Sequence, residues 1–172
     1  MSLPGGEIFP ALQAGTIDAA EFIGPWNDFA FGFHQVAKNF YYPGIGEPSS
    51  SEEVVFNEAA FSRLPEDLQM LVRVVCMSAS EETTTDYDVN HAISLRKMVD
   101  EHGVVMRRIS DDIMGGLKEA TVELVEELLA SDDALTRDIM ESFTKFRNQT
   151  AEYAMYSYGA QMNARDFAFP TG

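Results

Sequence analysis

Few residues in this chain have a type and setting that could do chemistry, and the most informative is Glu21. It lies in the run Gly15-Thr16-Ile17-Asp18-Ala19-Ala20-Glu21-Phe22-Ile23-Gly24-Pro25-Trp26-Asn27-Asp28, between small alanines and the apolar Phe22 and Ile23. A carboxylate buried in such surroundings is costly unless a cation or several donors surround it; the alternative is a side chain that faces water. Both remain open on spacing alone. His34, His91 and His102 are far apart in sequence and form no H-E-x-x-H or comparable ligand spacing. They read as packed or solvated histidines. No G-x-S-x-G elbow, P-loop or G-x-G-x-x-G occurs, and Gly44-Ile45-Gly46 is too short to count as one. The acid pairs Glu81-Glu82, Asp111-Asp112, Glu126-Glu127 and Asp132-Asp133 fall on amphipathic stretches or first helical turns, where charge is solvated or complements the dipole. No residue is expected to be catalytic, and the chain is not expected to be an enzyme.

The elements that would position these residues follow from periodicity. Residues 7–14 form a short helix carrying Ile8, Ala11 and Leu12, closed by Gly15. Residues 17–23 are extended or turn, and Gly24-Pro25 opens a helix over 26–36 with Phe29, Phe33 and Val36 at helical spacing. Residues 39–42 are aromatic and extended, a turn-rich loop occupies 43–51, and the valine-rich 53–56 is a strand candidate. From Pro65 to about His102 an apolar stripe (Leu68, Leu71, Val72, Val75, Ala79, Tyr87, Leu95, Met98, Val99) marks a long helix with a break allowed in its polar middle, 80–86. Gly103 ends it, and 104–109 alternates as a strand. Ser110 is the N-cap of the next helix, whose apolar face is Ile113, Leu117, Ala120, Leu124 and Leu128; a last helix starts near 131–133 with Leu135, Ile139, Phe143, Phe146 and Tyr153. The order is mixed α/β in front and helical behind, with too few strands to close a sheet alone.

Composition narrows the partners. The 172 residues suffice for one filled core, and 28 acidic against 12 basic residues give a net charge of -16, which repels nucleic acid phosphates and anionic headgroups. No segment approaches the roughly 20 apolar residues that span a bilayer. Cys76, the single cysteine, excludes an internal disulfide and lies among Leu71, Val72, Val74, Val75 and Met77, as a small core residue does. Residues 1–3 read as a cloning leader joined to the interior of a longer protein, and no secretory signal opens the chain.

The stretch Pro4-Gly5-Gly6-Glu7-Ile8-Phe9-Pro10-Ala11-Leu12, the 15–28 run, Gly32-Phe33-His34, Ala37-Lys38 and Tyr41-Tyr42-Pro43-Gly44 together resemble the TRAP-transporter substrate-binding proteins of the DctP type. The likeness is to the subgroup for 2-oxo acids and related monocarboxylates. It continues less tightly through Glu47-Pro48, Phe56-Asn57, Leu64-Pro65-Glu66-Asp67-Leu68-Gln69, Tyr87-Asp88 and residues 143–147. The resemblance implies an α/β fold, the second lobe of a two-lobed periplasmic binding protein (type II-like), predominantly helical with long C-terminal helices. It implies a partial ligand-binding lobe over 4–109 and a helical segment over 110–172. It further implies that Glu21 ligates a sodium or calcium ion bridging to the substrate carboxylate, with Phe22 giving its backbone carbonyl to the same ion. Hard cations prefer such oxygens, and a cation lets an acidic site accept an anion. Many relatives have Trp at Phe22, and Trp or His near Ile45 and Gly46, so the pocket wall differs here. Trp26, Tyr42 and Glu47 are weaker candidates for lining the site.

Every arginine lies at Arg63 or later, so the Glu21 region has no fork-shaped donor for a carboxylate; in the family that arginine lies upstream. The chain then carries one wall of a two-walled cleft, its partners being the N-terminal lobe, TRAP membrane subunits, the carboxylate and, through Phe143, Phe146, Tyr153, Tyr156 and Tyr158, a second copy. Its place would be the periplasm. The competing expectation is a free-standing helical module that binds another protein through an exposed apolar stripe.

Overall fold

Pro4, with φ -57°, leads into α1 (Gly5–Gln13), and Gly15 at φ +67° turns the chain out of it. The computed structural model describes residues 1–46 and 53–164. A loop follows to Gly24, and Pro25 then opens α2 (Pro25–Ala30). The single helix expected over 26–36 is two: Gly32 at φ +79° takes the left-handed conformation, its N–H bonds to the Phe29 carbonyl at 3.0 Å, and α3 (Phe33–Val36) starts anew. A side chain resists that φ, so the glycine is what ends α2. The break brings Phe33 and His34 into the core.

β1 (Asn39–Tyr42) pairs in parallel with β2 (Val105–Arg108), Asn39 opposite Val105 and Tyr42 opposite Arg108. A parallel pair needs a long crossover. It is supplied by α4 (Glu58–Phe61), capped by Asn57 through the Ala60 N–H at 3.0 Å, and by α5 (Glu66–Asp100), 35 residues long. The allowed break at 80–86 does not occur. Thr84, Thr85 and Asn90 bond back to the carbonyls of Ser80, Glu81 and Asp86 at 2.8–3.0 Å, so the polar side chains are satisfied on the helix itself without breaking it. The strand expected over 53–56 is also absent. Val54, Val55 and Phe56 are 66%, 82% and 48% exposed and pair with no described strand.

The buried apolar residues of this first unit, 1–109, are Ile8, Phe33, Met98, Val104 and Ile109. His34 is buried with them, stacked on Phe29 at 4.7 Å, its ring 4.4 Å from that of His102. Burial, then the charges of His102 and Lys38, hold His34 below its ordinary value. It therefore favours the folded state above the ordinary histidine range and loses that contribution as pH falls through it.

The second unit, 110–172, begins with α6 (Asp111–Leu129), packed with α7 (Ala134–Ala154). Ser110 is at the N-cap position as expected. Asp133 caps α7, accepting from the Thr136 N–H at 2.9 Å and hydroxyl at 2.7 Å, and these bonds hold its carboxyl below the usual range. A π-helical turn, Met155–Gly159, leads into α8 (Ala160–Ala164). No described helix is long and apolar enough to cross a membrane.

Candidate cation and carboxylate site

Phe22 anchors the loop between α1 and α2. Its ring meets Phe31 at 5.1 Å and Phe33 at 5.4 Å, both edge-on, and a Cβ added to Gly5 would lie 3.3 Å from it. With Phe22 drawn inward, Glu21 is exposed. It is not isolated. A Cβ added to Gly46 would stand 3.5 Å from the Glu21 Cγ and 3.8 Å from its Oε2, so the loop that follows β1 runs directly beside the carboxylate.

Asp28, in the first turn of α2, adds a second carboxyl to this neighbourhood. Its Oδ1 is buried without a hydrogen-bond partner, as is the Oδ1 of Asn27. Burial raises its pKa to about 6, a backbone hydrogen bond from Gly24 opposes that, and the Glu21 charge raises it further. A carboxyl raised from 3.8 keeps its proton in the fold while the unfolded chain loses it, so stability falls as pH rises from about 4 to 6 and is level above. Solvent screens a partly exposed group, which reduces the expected penalty to about 1–2 kcal/mol. Asp28→Asn removes it. Urea titrations between pH 4 and 7 are expected to show the variant gaining this amount over the parent as pH rises; a pH-independent difference contradicts the assignment, and His34 cancels in the comparison.

Trp26 lies at the start of α2, half-buried, its ring edge-on to Tyr87 of α5 at 5.1 Å and its backbone N–H donating to His91 Nδ1 at 3.0 Å. Tyr42, at the end of β1, is 44% exposed and its carbonyl accepts the Ile109 N–H. Glu47 lies outside the described residues. The structure therefore brings Glu21, Asp28 and the Gly46 backbone together, with Trp26 turned to α5. Asp28, Asn27 and His91 had no assigned role in the sequence. The place of Asp28 in the first turn after Gly24-Pro25 was a signal, whereas His91 meets Trp26 across 65 residues and gives none.

Among the described residues no three or more His, Cys, Asp or Glu side chains group to hold a metal. An ion at Glu21 must complete its shell with backbone carbonyls and ligand oxygens. Carboxylate and backbone carbonyl oxygens are donors that suit sodium or calcium and not softer metals.

The family described as bacterial extracellular solute-binding protein, family 7 (DctP), matches residues 1–132. The monocarboxylate 2-oxoacid-binding periplasmic protein of Nostoc sp. (strain PCC 7120) is 34% identical over 147 residues, 86% of this chain and 40% of the relative. A TRAP periplasmic solute-binding protein from Colwellia psychrerythraea with bound calcium and pyruvate superposes with a TM-score of 0.88 at 29% identity, over 95% of this chain and 50% of that one. A TRAP transporter solute-binding protein from Bordetella bronchiseptica RB50, a mixed-occupancy dimer with calcium and picolinate in one site, gives 0.84 at 30%, over 95% and 48%. The chain thus spans 40% of the curated relative and about half of each solved receptor.

Proposed function

The chain belongs to the DctP family of bacterial extracellular solute-binding proteins, a family of receptors and not of enzymes, and we propose that the receptor of which it forms part captures a small 2-oxo acid or similar monocarboxylate through a hard cation held at Glu21. The observation that carries this is the exposed Glu21 carboxylate, beside the half-buried Phe22 that packs on Phe31 and Phe33, and bordered by the Gly46 backbone. A chain of net charge -16 repels a free carboxylate, and a cation between Glu21 and the ligand turns that repulsion into attraction. Phe22 gives its backbone carbonyl to the ion, and Trp26, Tyr42 and Glu47 are proposed to border the pocket.

The whole receptor is proposed to have two lobes, the other supplying the donor that pairs with the ligand carboxylate, and to work in the periplasm. Closure of the lobes by hinge motion then presents the loaded form to TRAP membrane subunits. The coverage of about half of each solved receptor supports this. A homodimer through α7 is part of the same proposal: Leu135, Ile139, Phe143, Phe146 and Tyr153 are all more than half exposed at 66%, 57%, 52%, 66% and 67%. The family match leaves the free-standing module without separate support.

Calorimetry of the full-length receptor tests the central point. Pyruvate affinity is expected to fall at least about tenfold when calcium is chelated and to return when it is restored. Binding indifferent to chelation contradicts a bridging ion.

A further inference from the structure

Gly24, Trp26, Tyr87 and His91 form one joint between the Glu21 loop and the middle of α5. The Trp26 N–H lies in the first turn of α2, where no intrahelical carbonyl can accept it, and His91 Nδ1 takes it at 3.0 Å. The imidazole accepting at Nδ1 carries its proton on Nε2. Gly24 has φ +152°, and a Cβ there would stand 2.8 Å from His91 Cε1, so the ring occupies the volume that any other residue at 24 would need. Tyr87, one turn earlier on α5, meets both Trp26 and His91 edge-on, at 5.1 and 5.3 Å. Residues 18–23 make no backbone hydrogen bond to another described residue. The loop is thus tied down by the Phe22 ring on one side and by this joint on the other.

Resting on the cation reading above, we propose that His91 is the positioning residue of the cation site: by accepting the Trp26 N–H and packing on Gly24, it fixes where the chain enters α2, three residues from Glu21. It touches neither ion nor ligand and acts through the loop. An acceptor placed at the Nδ1 position preserves the role; an apolar side chain of similar bulk does not.

The test compares the full-length receptor with its His91→Leu and His91→Asn variants, reading exchange at the Trp26 amide and calcium affinity by calorimetry. Leucine is expected to speed the exchange and to weaken calcium binding, each by about tenfold, whereas asparagine, whose side-chain carbonyl can accept, restores both toward the parent values. Faster exchange with unchanged calcium affinity overturns the proposal, as does unchanged exchange. If His91→Leu does not fold, His91→Asn decides: parent-like affinity supports the role and a tenfold loss overturns it. Absence of calcium binding in the parent defeats the cation reading itself, and this role with it, whatever the amide shows.

Discussion

Glu21→Gln is expected to weaken calcium binding, and with it pyruvate binding, by about 100-fold or more in the full-length receptor. Glutamine keeps the size and the carbonyl oxygen but removes the full negative charge, and a hard cation gains most of its protein binding energy from charged oxygens. No second carboxylate at this place can substitute without cost. Burial pushes the Asp28 carboxyl up to about 6, so it offers its charge less readily than the exposed Glu21. The change should leave folding intact, since Glu21 is exposed and no described hydrogen bond or ion pair depends on it. Calorimetry with calcium, followed by pyruvate at saturating calcium, separates loss of the ion from loss of the ligand. Retained calcium affinity would place the ion elsewhere.

The largest expected effect on stability comes from Met98→Ala, at about 2–5 kcal/mol. Met98 is 1% exposed and is the one large side chain fully buried among the described residues; its carbonyl also accepts the Val104 N–H at 2.9 Å where α5 turns toward β2. Truncation loses both the transfer energy of the thioether chain and the packing of the space left behind. Against a typical total of about 5–15 kcal/mol such a loss is a large share. The urea midpoint should drop accordingly with little change in slope, while Val55→Ala, at a position 82% exposed, should move it by no more than about 0.5 kcal/mol. Equal effects at the two positions would show that the core is not organised around α5.

Much of the frame is legible in the amino-acid sequence. The helix over 7–14, the extended 39–42, the long helix from Pro65, the strand over 104–109 and the Ser110 start are visible in periodicity and in glycine, proline and capping residues. Local signals misled where tertiary context decided. Phe29, Phe33 and Val36 keep a helical period, yet Gly32 sits between them at φ +79° and splits the helix. The valines at 54 and 55 favour a strand, but a strand exists only where a neighbour pairs with it, and no described one does. In 80–86 the polar run looked like a break because its side chains can compete with the backbone; they bond to carbonyls four residues back and leave the helix whole.

For the site, the run around Glu21 drew attention through chemistry that an isolated acid among apolar neighbours rarely allows. What the sequence lacked was orientation. Only the packing of Phe22 on Phe31 and Phe33 determines that the carboxylate points outward, and only the fold brings Gly46 beside it and His91 under the Trp26 N–H. These meetings join residues 25 and 65 positions apart, for which no local pattern exists.

A crystal structure of the full-length receptor with calcium and pyruvate bound tests the central claim most directly. An ion is expected about 2.3–2.6 Å from a Glu21 carboxylate oxygen and from the Phe22 carbonyl, with the pyruvate carboxylate on its open side. A ligand seated with the Glu21 side chain turned into solvent, and no ion against it, would rule out cation-bridged capture at Glu21.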